Sequence, residues 1–107
     1  MRAAPALVGD GVAAIDTPAL VIDLDAMERN IERMAAFARE RSLRLRPHAK
    51  THKCAAIARA QIAAGAAGVC VQKLSEAQAL ADAGIADIFI SNEIIDAAKL
   101  EIGRAHV

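Results

Sequence analysis

The chain has 107 residues, enough for one small domain, and its 55% hydrophobic and 24% charged content is that of a folded globular protein rather than a disordered one. Thirteen basic and thirteen acidic side chains cancel, so no global field draws nucleic acid or an anionic membrane to it. Aromatic residues make up 2%, with neither Trp nor Tyr, which removes the stacking platforms that binders of single-stranded nucleic acid use.

Cys54 and Cys70 lie in otherwise apolar patterns without CxxC spacing, and read as reduced thiols rather than a disulfide or a zinc site. Residues 1–14 are apolar but broken by Pro5, Gly9, Asp10 and Gly11, which makes a poor signal peptide. No apolar run approaches the roughly 18 residues that span a bilayer. A cytoplasmic location is the default expectation.

In chain order, Asp16-Thr17-Pro18 marks a turn, after which residues 19–22 (Ala-Leu-Val-Ile) read as a buried strand. Asp25 and Glu28 have capping-box spacing and start a helix. Met27, Ile31, Met34, Ala35 and Ala38 recur on its apolar face, with Arg and Glu residues opposite, as in a helix that covers a sheet. Residues 43–47 form a second strand, and the loop 48–53 leads into a helix carrying Cys54, Ile57, Ala58 and Ile62, ended by Gly65. A short third strand, 68–71, precedes a helix that Ser75 and Gln78 cap and Gly84 stops. A fourth strand, 88–90, runs out through Ser91 and Asn92, and residues 94–100 begin another helix.

Strand-then-helix units repeating every ~20 to 25 residues fit parallel βαβ construction, since a crossover needs about a dozen residues. No GxGxxG or GKS/GKT loop follows a strand, so a dinucleotide-binding sheet loses ground to a (β/α) barrel. The fold class is therefore α/β, a partial (β/α)8 barrel of the TIM type. A whole barrel takes about 250 residues, and this chain supplies less than half of one. Strand edges and apolar helix faces left open in such a piece predict aggregation of the isolated chain.

The chemistry concentrates in Arg44-Leu45-Arg46-Pro47-His48-Ala49-Lys50-Thr51-His52-Lys53. If this stretch is extended, Leu43 and Leu45 face one way and Arg44, Arg46, His48 and Lys50 the other. In a parallel barrel the polar face opens into a site at the strand's C-terminal end, with Lys50 at the mouth. A lysine crowded by Arg46, Lys53 and two histidines, in a site that excludes water, is favoured as a nucleophilic amine. Such amines form Schiff bases with carbonyls, the aldehyde of pyridoxal phosphate among them. The alternative is a solvated basic loop, or a grip on a phosphate-bearing ligand without any covalent step. Lys53 competes with Lys50, but falls past the strand and near the helix start. His48 and His52 lack a third metal ligand nearby and suit hydrogen bonding or proton handling better than metal binding. Arg46 on an interior face needs an anion: cofactor phosphate, substrate carboxylate or a downstream acid. Gln72 and Asn92 close the third and fourth strands, at the edge where barrel sites are built.

Arg46-Pro47-His48-Ala49-Lys50-Thr51-His52-Lys53 is preceded by Thr17-Pro18-Ala19-Leu20-Val21-Ile22-Asp23 and followed by Gly68-Val69-Cys70-Val71-Gln72-Lys73 and Ser91-Asn92-Glu93. This pattern resembles the start of the D-threonine aldolase and eukaryotic-type D-serine dehydratase family, pyridoxal-phosphate enzymes with an alanine-racemase-like N-terminal barrel. The resemblance covers about residues 16 to 100. It implies the N-terminal part of a lyase acting on D-3-hydroxy amino acids, giving glycine and an aldehyde. Dehydration to ammonia and a keto acid, racemisation, and cofactor binding without catalysis are its alternatives. By the same likeness Lys50 is the Schiff-base lysine. Arg46, His48, Gln72 and Asn92 are then candidate cofactor contacts, with Thr51 and His52 behind them. The resemblance further implies a divalent metal (Mn, Mg or Zn) held by C-terminal residues absent from this sequence, and a homodimer at full length. The chain alone is expected not to turn over substrate.

Residues 1–15 read as a lead, 16–101 as the incomplete cofactor-binding barrel, and 102–107 as a non-native tail. Ile-Gly-Arg-Ala-His-Val corresponds to a translated sequencing adapter, so His106 is given no role.

Overall fold

The computed structural model describes residues 4–105. After a single 3-10 turn at Val12–Ala14, the elements are α1 (Leu24–Glu40), α2 (Ala55–Ala63), β1 (Val69–Val71), α3 (Leu74–Asp82), β2 (Ile88–Ile90) and α4 (Ala97–Ala105). The strands β1 and β2 pair in parallel, with Val69 opposite Ile88, Cys70 opposite Phe89 and Val71 opposite Ile90. Since α3 joins them, residues 69–90 form one βαβ unit, as the strand-helix spacing predicts.

The segment expected as the second strand lies along the other edge of β1. Its backbone bonds are Ala67 N to Leu45 O (2.8 Å), Cys70 N to Pro47 O (2.8 Å) and Ala49 N to Cys70 O (2.7 Å). They define one parallel bridge, His48 opposite Cys70, and no regular ladder. Pro47 has no N–H to offer, which limits what this segment can donate to the ladder.

One face of the sheet is covered. Ala49, Ala58, Val69, Val71, Ala77, Leu80 and Ile85 form the core, with Ala55, Ile62, Ile88 and Ile90 packed against it. Val69 and Val71 are both 0% exposed, whereas Cys70 between them is only half-buried. The helices that supply this cover, α2 and α3, follow the 43–49 segment and β1 directly. Gly65 (φ +124°) and Gly84 (φ +95°) end them in the left-handed region, where glycine carries no Cβ penalty.

Several expectations are corrected. Residues 19–22 are not a buried strand: they join no sheet, and Leu20 is 100% exposed. Four apolar side chains in a row cannot form a strand without a neighbour to bond, and among the described residues no backbone hydrogen bond or bridge ties them to another segment. The helix α1 accordingly meets α2 rather than covering a sheet. Its Ala35 and Ala38 are buried, while Met34 and Phe37 stay exposed. The cap of α1 is Asp23, whose Oδ1 accepts from Ala26 N at 3.0 Å, and not Asp25, which sits in the first turn. The cap of α3 is likewise earlier than expected: Glu76 Oε1 reaches back to the N–H of Lys73 at 2.8 Å, so Lys73 and Glu76 take the places predicted for Ser75 and Gln78. The last helix begins at Ala97, where the side chain of Asp96 accepts from Ala98 N at 2.8 Å, and runs to Ala105. Its range takes in part of the segment read as a tail; residues 106–107 lie outside the described residues.

The chain forms a slab, 46 × 43 × 20 Å, with a radius of gyration of 16.7 Å, against the ~13 Å of a closed domain of this length. Among the described residues no helix is long and apolar enough to cross a membrane. The observed cap makes a sharp expectation: Asp23→Ala should destabilise the chain by about 1 kcal/mol in urea unfolding. Asp25→Ala should cost less than about half as much, because it loses only a helix-dipole interaction.

Candidate active site

The parallel register sets side chains on the uncovered face in rows. His48, Cys70 and Phe89 share one row. Two residues earlier lie Arg46, Gly68 and Asp87; two residues later β1 and β2 end at Gln72 and Ser91, level with the point where the chain turns at Lys50. Of Arg44, Arg46, His48 and Lys50, expected on one polar face, Arg46 and His48 fall in these rows, while Lys50 stands in a turn beyond the extended stretch.

The lower row is closed by an ion pair. Arg46 Nη1 lies 2.8 Å from Asp87 Oδ1 and also donates to the carbonyls of Val69 (3.3 Å) and Asp87 (3.4 Å). Of the three anions expected for Arg46, the downstream acid is the one in place. Gly68 makes room for it: a Cβ there would stand 2.6 Å from Arg46 Nη1 and 2.8 Å from Asp87 Cβ. Neither Asp87 nor Gly68 was singled out from sequence; their shared parity with Cys70 and Phe89 was the available signal.

The upper row carries the reactive groups. Lys50 is exposed in a turn, and among the described residues no hydrogen bond or ion pair engages its Nζ. The desolvation invoked for this lysine is therefore not supplied by residues 4–105. Its backbone is held instead: Lys50 N donates to His48 Nδ1 at 3.2 Å, and Lys53 N to Ala49 O at 2.8 Å. Lys53 takes a left-handed backbone (φ 50°), and Thr51 is exposed in the same turn. His52 Nδ1 accepts from Cys54 N at 2.9 Å ahead of α2, while its Nε2 is buried without a partner among the described residues. Both imidazoles accept at Nδ1 and so carry their proton on Nε2. That of His48 points to Ser91 Oγ, 3.5 Å away, and Ser91 Oγ in turn donates to Val71 O at 3.3 Å.

Gln72 and Asn92 border a separate open groove with Ser75, Gln78, Asp96 and Lys99. Lys50 and His48 are not part of it. Asn92 spends its Oδ1 on the N–H of Glu93 at 2.9 Å. Ser91 and not Asn92 is therefore the β2 residue joined to the Lys50 turn.

The alanine racemase N-terminal domain profile matches residues 22–106. The chain belongs to that family. Over 98 residues it is 52% identical to the D-threonine aldolase of Arthrobacter sp, an alignment covering 92% of this chain and 26% of that protein. It is 44% identical over 98 residues to the 3-hydroxy-D-aspartate aldolase of Paracoccus denitrificans (strain Pd 1222), covering 91% and 25%. The crystal structure of D-threonine aldolase from Filomicrobium marinum superposes with a TM-score of 0.92 at 54% identity, over 96% of this chain and 28% of that one. D-threo-3-hydroxyaspartate dehydratase from Delftia sp. HT23 gives 0.78 at 43% identity, over 87% and 24%. The chain spans about a quarter of the length of these family members.

Two outcomes test the lower row. Gly68→Ala should destabilise the chain by about 1–3 kcal/mol, the cost of overpacking, measured by urea unfolding. The hydrogen bond from Arg46 holds the Asp87 carboxyl below its ordinary 3.8; the charges of Arg46 and Arg44 act the same way and desolvation opposes them. A folded-state value below the unfolded one adds stability that is complete above the unfolded value and lost as pH falls through the folded one. Urea midpoints followed from about pH 6 downward should show a loss below about pH 4 that Asp87→Asn lacks. The loss should be small, because the carboxylate is exposed.

Proposed function

We propose that this chain is the N-terminal part of a pyridoxal-phosphate-dependent lyase acting on D-3-hydroxy amino acids, built as the first strand-helix units of a (β/α)8 barrel. Lys50 is proposed to hold the cofactor. The reading is supported by one observation: in a chain 54% identical to a D-threonine aldolase and superposing on it at a TM-score of 0.92, Lys50 is exposed in the turn just after the His48–Cys70 bridge, and its Nζ has no partner among the described residues.

The residues present fit the aldehyde end of the cofactor. Nζ of Lys50 is free to form and release a covalent bond to a carbonyl carbon, while the turn that carries it is fixed by backbone bonds. When bound, pyridoxal phosphate withdraws electrons from the α-carbon of the substrate, so that a bond at the α or β carbon can break. Lys50 displaced from the aldehyde would then be a free amine at the same edge, able to take or give a proton at Nζ. His48 supports the turn, and Arg46, its Nη1 engaged by Asp87, fixes the strands below. Gln72 and Asn92 are proposed to contact substrate or cofactor across their groove, with Thr51 and His52 shaping the loop. Among the described residues no three His, Cys, Asp or Glu side chains converge as a metal site.

Cleavage to glycine and an aldehyde is favoured over dehydration by the superposition, a TM-score of 0.92 on a D-threonine aldolase against 0.78 on the dehydratase; the identities, 52% over 98 residues and 51% over 79, do not separate the two. The free thiols of Cys54 and Cys70 are compatible with the reducing cytoplasm.

A chimera tests the proposal. In the Filomicrobium marinum D-threonine aldolase, the matched N-terminal segment is replaced by this chain, and aldehyde release from D-threonine and from D-3-hydroxyaspartate is measured. Activity is expected, with Lys50→Ala reducing it by about three orders of magnitude or more. A folded chimera inactive on both substrates, or a Lys50→Ala variant as active as its parent, would overturn it.

A further inference from the structure

The last ladder bond of the 43–49 segment is Ala49 N to Cys70 O; successive N–H groups along a strand point to opposite edges, so the N–H of Lys50 points away from β1 and needs another partner. A side chain supplies one, and the bond continues beyond it. Lys50 N–H donates to His48 Nδ1 (3.2 Å), His48 Nε2–H to Ser91 Oγ (3.5 Å), and Ser91 O–H to Val71 O (3.3 Å). The direction is fixed at both ends, because an amide N–H only donates and a carbonyl only accepts. One imidazole tautomer alone satisfies it, with the proton on Nε2.

We propose that Ser91 is a positioning residue for Lys50, acting through His48. The Lys50 amide requires the His48 tautomer with a bare Nδ1, and the hydroxyl at the end of β2, its own proton directed at Val71 O, accepts from the Nε2–H of that tautomer and so ties the Lys50 turn to a strand two places away. Without that hydroxyl the ring loses its anchor to β2 and can swing away from the Lys50 N–H. The turn would then open, and Lys50 would lose its advantage over the neighbouring Lys53. This proposal rests on the reading of Lys50 as the cofactor-holding residue.

The test uses the chimera described above, in which the remainder of the aldolase completes this chain, with pyridoxal 5'-phosphate as the probe. Ser91 is exposed, so Ser91→Ala removes the hydroxyl without opening a cavity, and Ser91→Thr restores it. Two quantities are read: hydrogen exchange of the Lys50 amide by NMR without the probe, and the share of borohydride-trapped adduct on Lys50 against Lys53, Lys73 and Lys99 by peptide mapping. In Ser91→Ala the Lys50 amide should exchange about fivefold faster, the equivalent of one net hydrogen bond. The adduct on Lys50 relative to Lys53 should fall by a similar factor, and Ser91→Thr should recover both. Unchanged exchange overturns the proposal. Faster exchange with an unchanged adduct distribution also overturns it, since the contact is then structural only. If the unsubstituted chimera shows no preference for Lys50, the reading of Lys50 fails and the proposal with it. That result is told apart from failure of the Ser91 link alone, in which the adduct stays on Lys50 in every variant.

Discussion

Val69 and Val71 are fully buried under α2 and α3, and strand side chains alternate. Cys70 must therefore face the other way, and with it everything in its row and the rows two residues above and below. Two valines packed against alanine-rich helices thus decide which residues share the open face: Arg46 and His48 on one side of β1, Asp87 and Phe89 on the other. The small side chains of Ala49, Ala58 and Ala77 let the helices approach the strands closely, and this cover holds the register. A slip of one residue would turn both valines into water and Cys70 into the core.

The two ends of that face are built differently. At the lower end a guanidinium bridges a carboxylate and two carbonyls, filling the space a Cβ at Gly68 would claim. An arginine is suited to this because its planar fork reaches several acceptors at once. An exposed pair of this kind adds little net stability; its effect is to align three strands whose ladder is short. At the upper end the backbone is equally engaged, yet Nζ of Lys50 is left unpaired among the described residues. Asp87 sits below and, among the described residues, no acid is bonded to the lysine above, an arrangement suited to the amine proposed to bond to carbon.

Much of this was legible in sequence because it follows from period and parity. The strand 88–90 agrees with β2 residue for residue, the third strand is shorter by Gly68 alone, and the glycine stops at Gly65 and Gly84 fall where the helices end. Residues 19–22 misled for a physical reason: an apolar run states that a segment wants burial, not that a neighbour is present to provide it. The caps of α1 and α3 misled because Asp23 and Asp25, or Glu76 and Gln78, offer similar side chains at adjacent spacings, and only backbone geometry chooses. Asn92 reads from sequence as the residue that closes the fourth strand. Counting two residues on from Phe89 would have picked Ser91, since that is the position whose side chain shares the open face.

The identity of residue 48 carries the last step. An aspartate there could also accept the Lys50 N–H and the Ser91 hydroxyl, and would cap the turn as well. It would also place a carboxylate within reach of Nζ and invite the ion pair that the site lacks. A neutral imidazole accepts at one nitrogen and donates at the other, so it passes a hydrogen bond from the turn to β2 without bringing a charge. The turn is thereby held from its backbone side only. For a lysine proposed to take up and release a carbonyl carbon, that combination of a fixed main chain and an uncommitted amine is the one the chemistry requires.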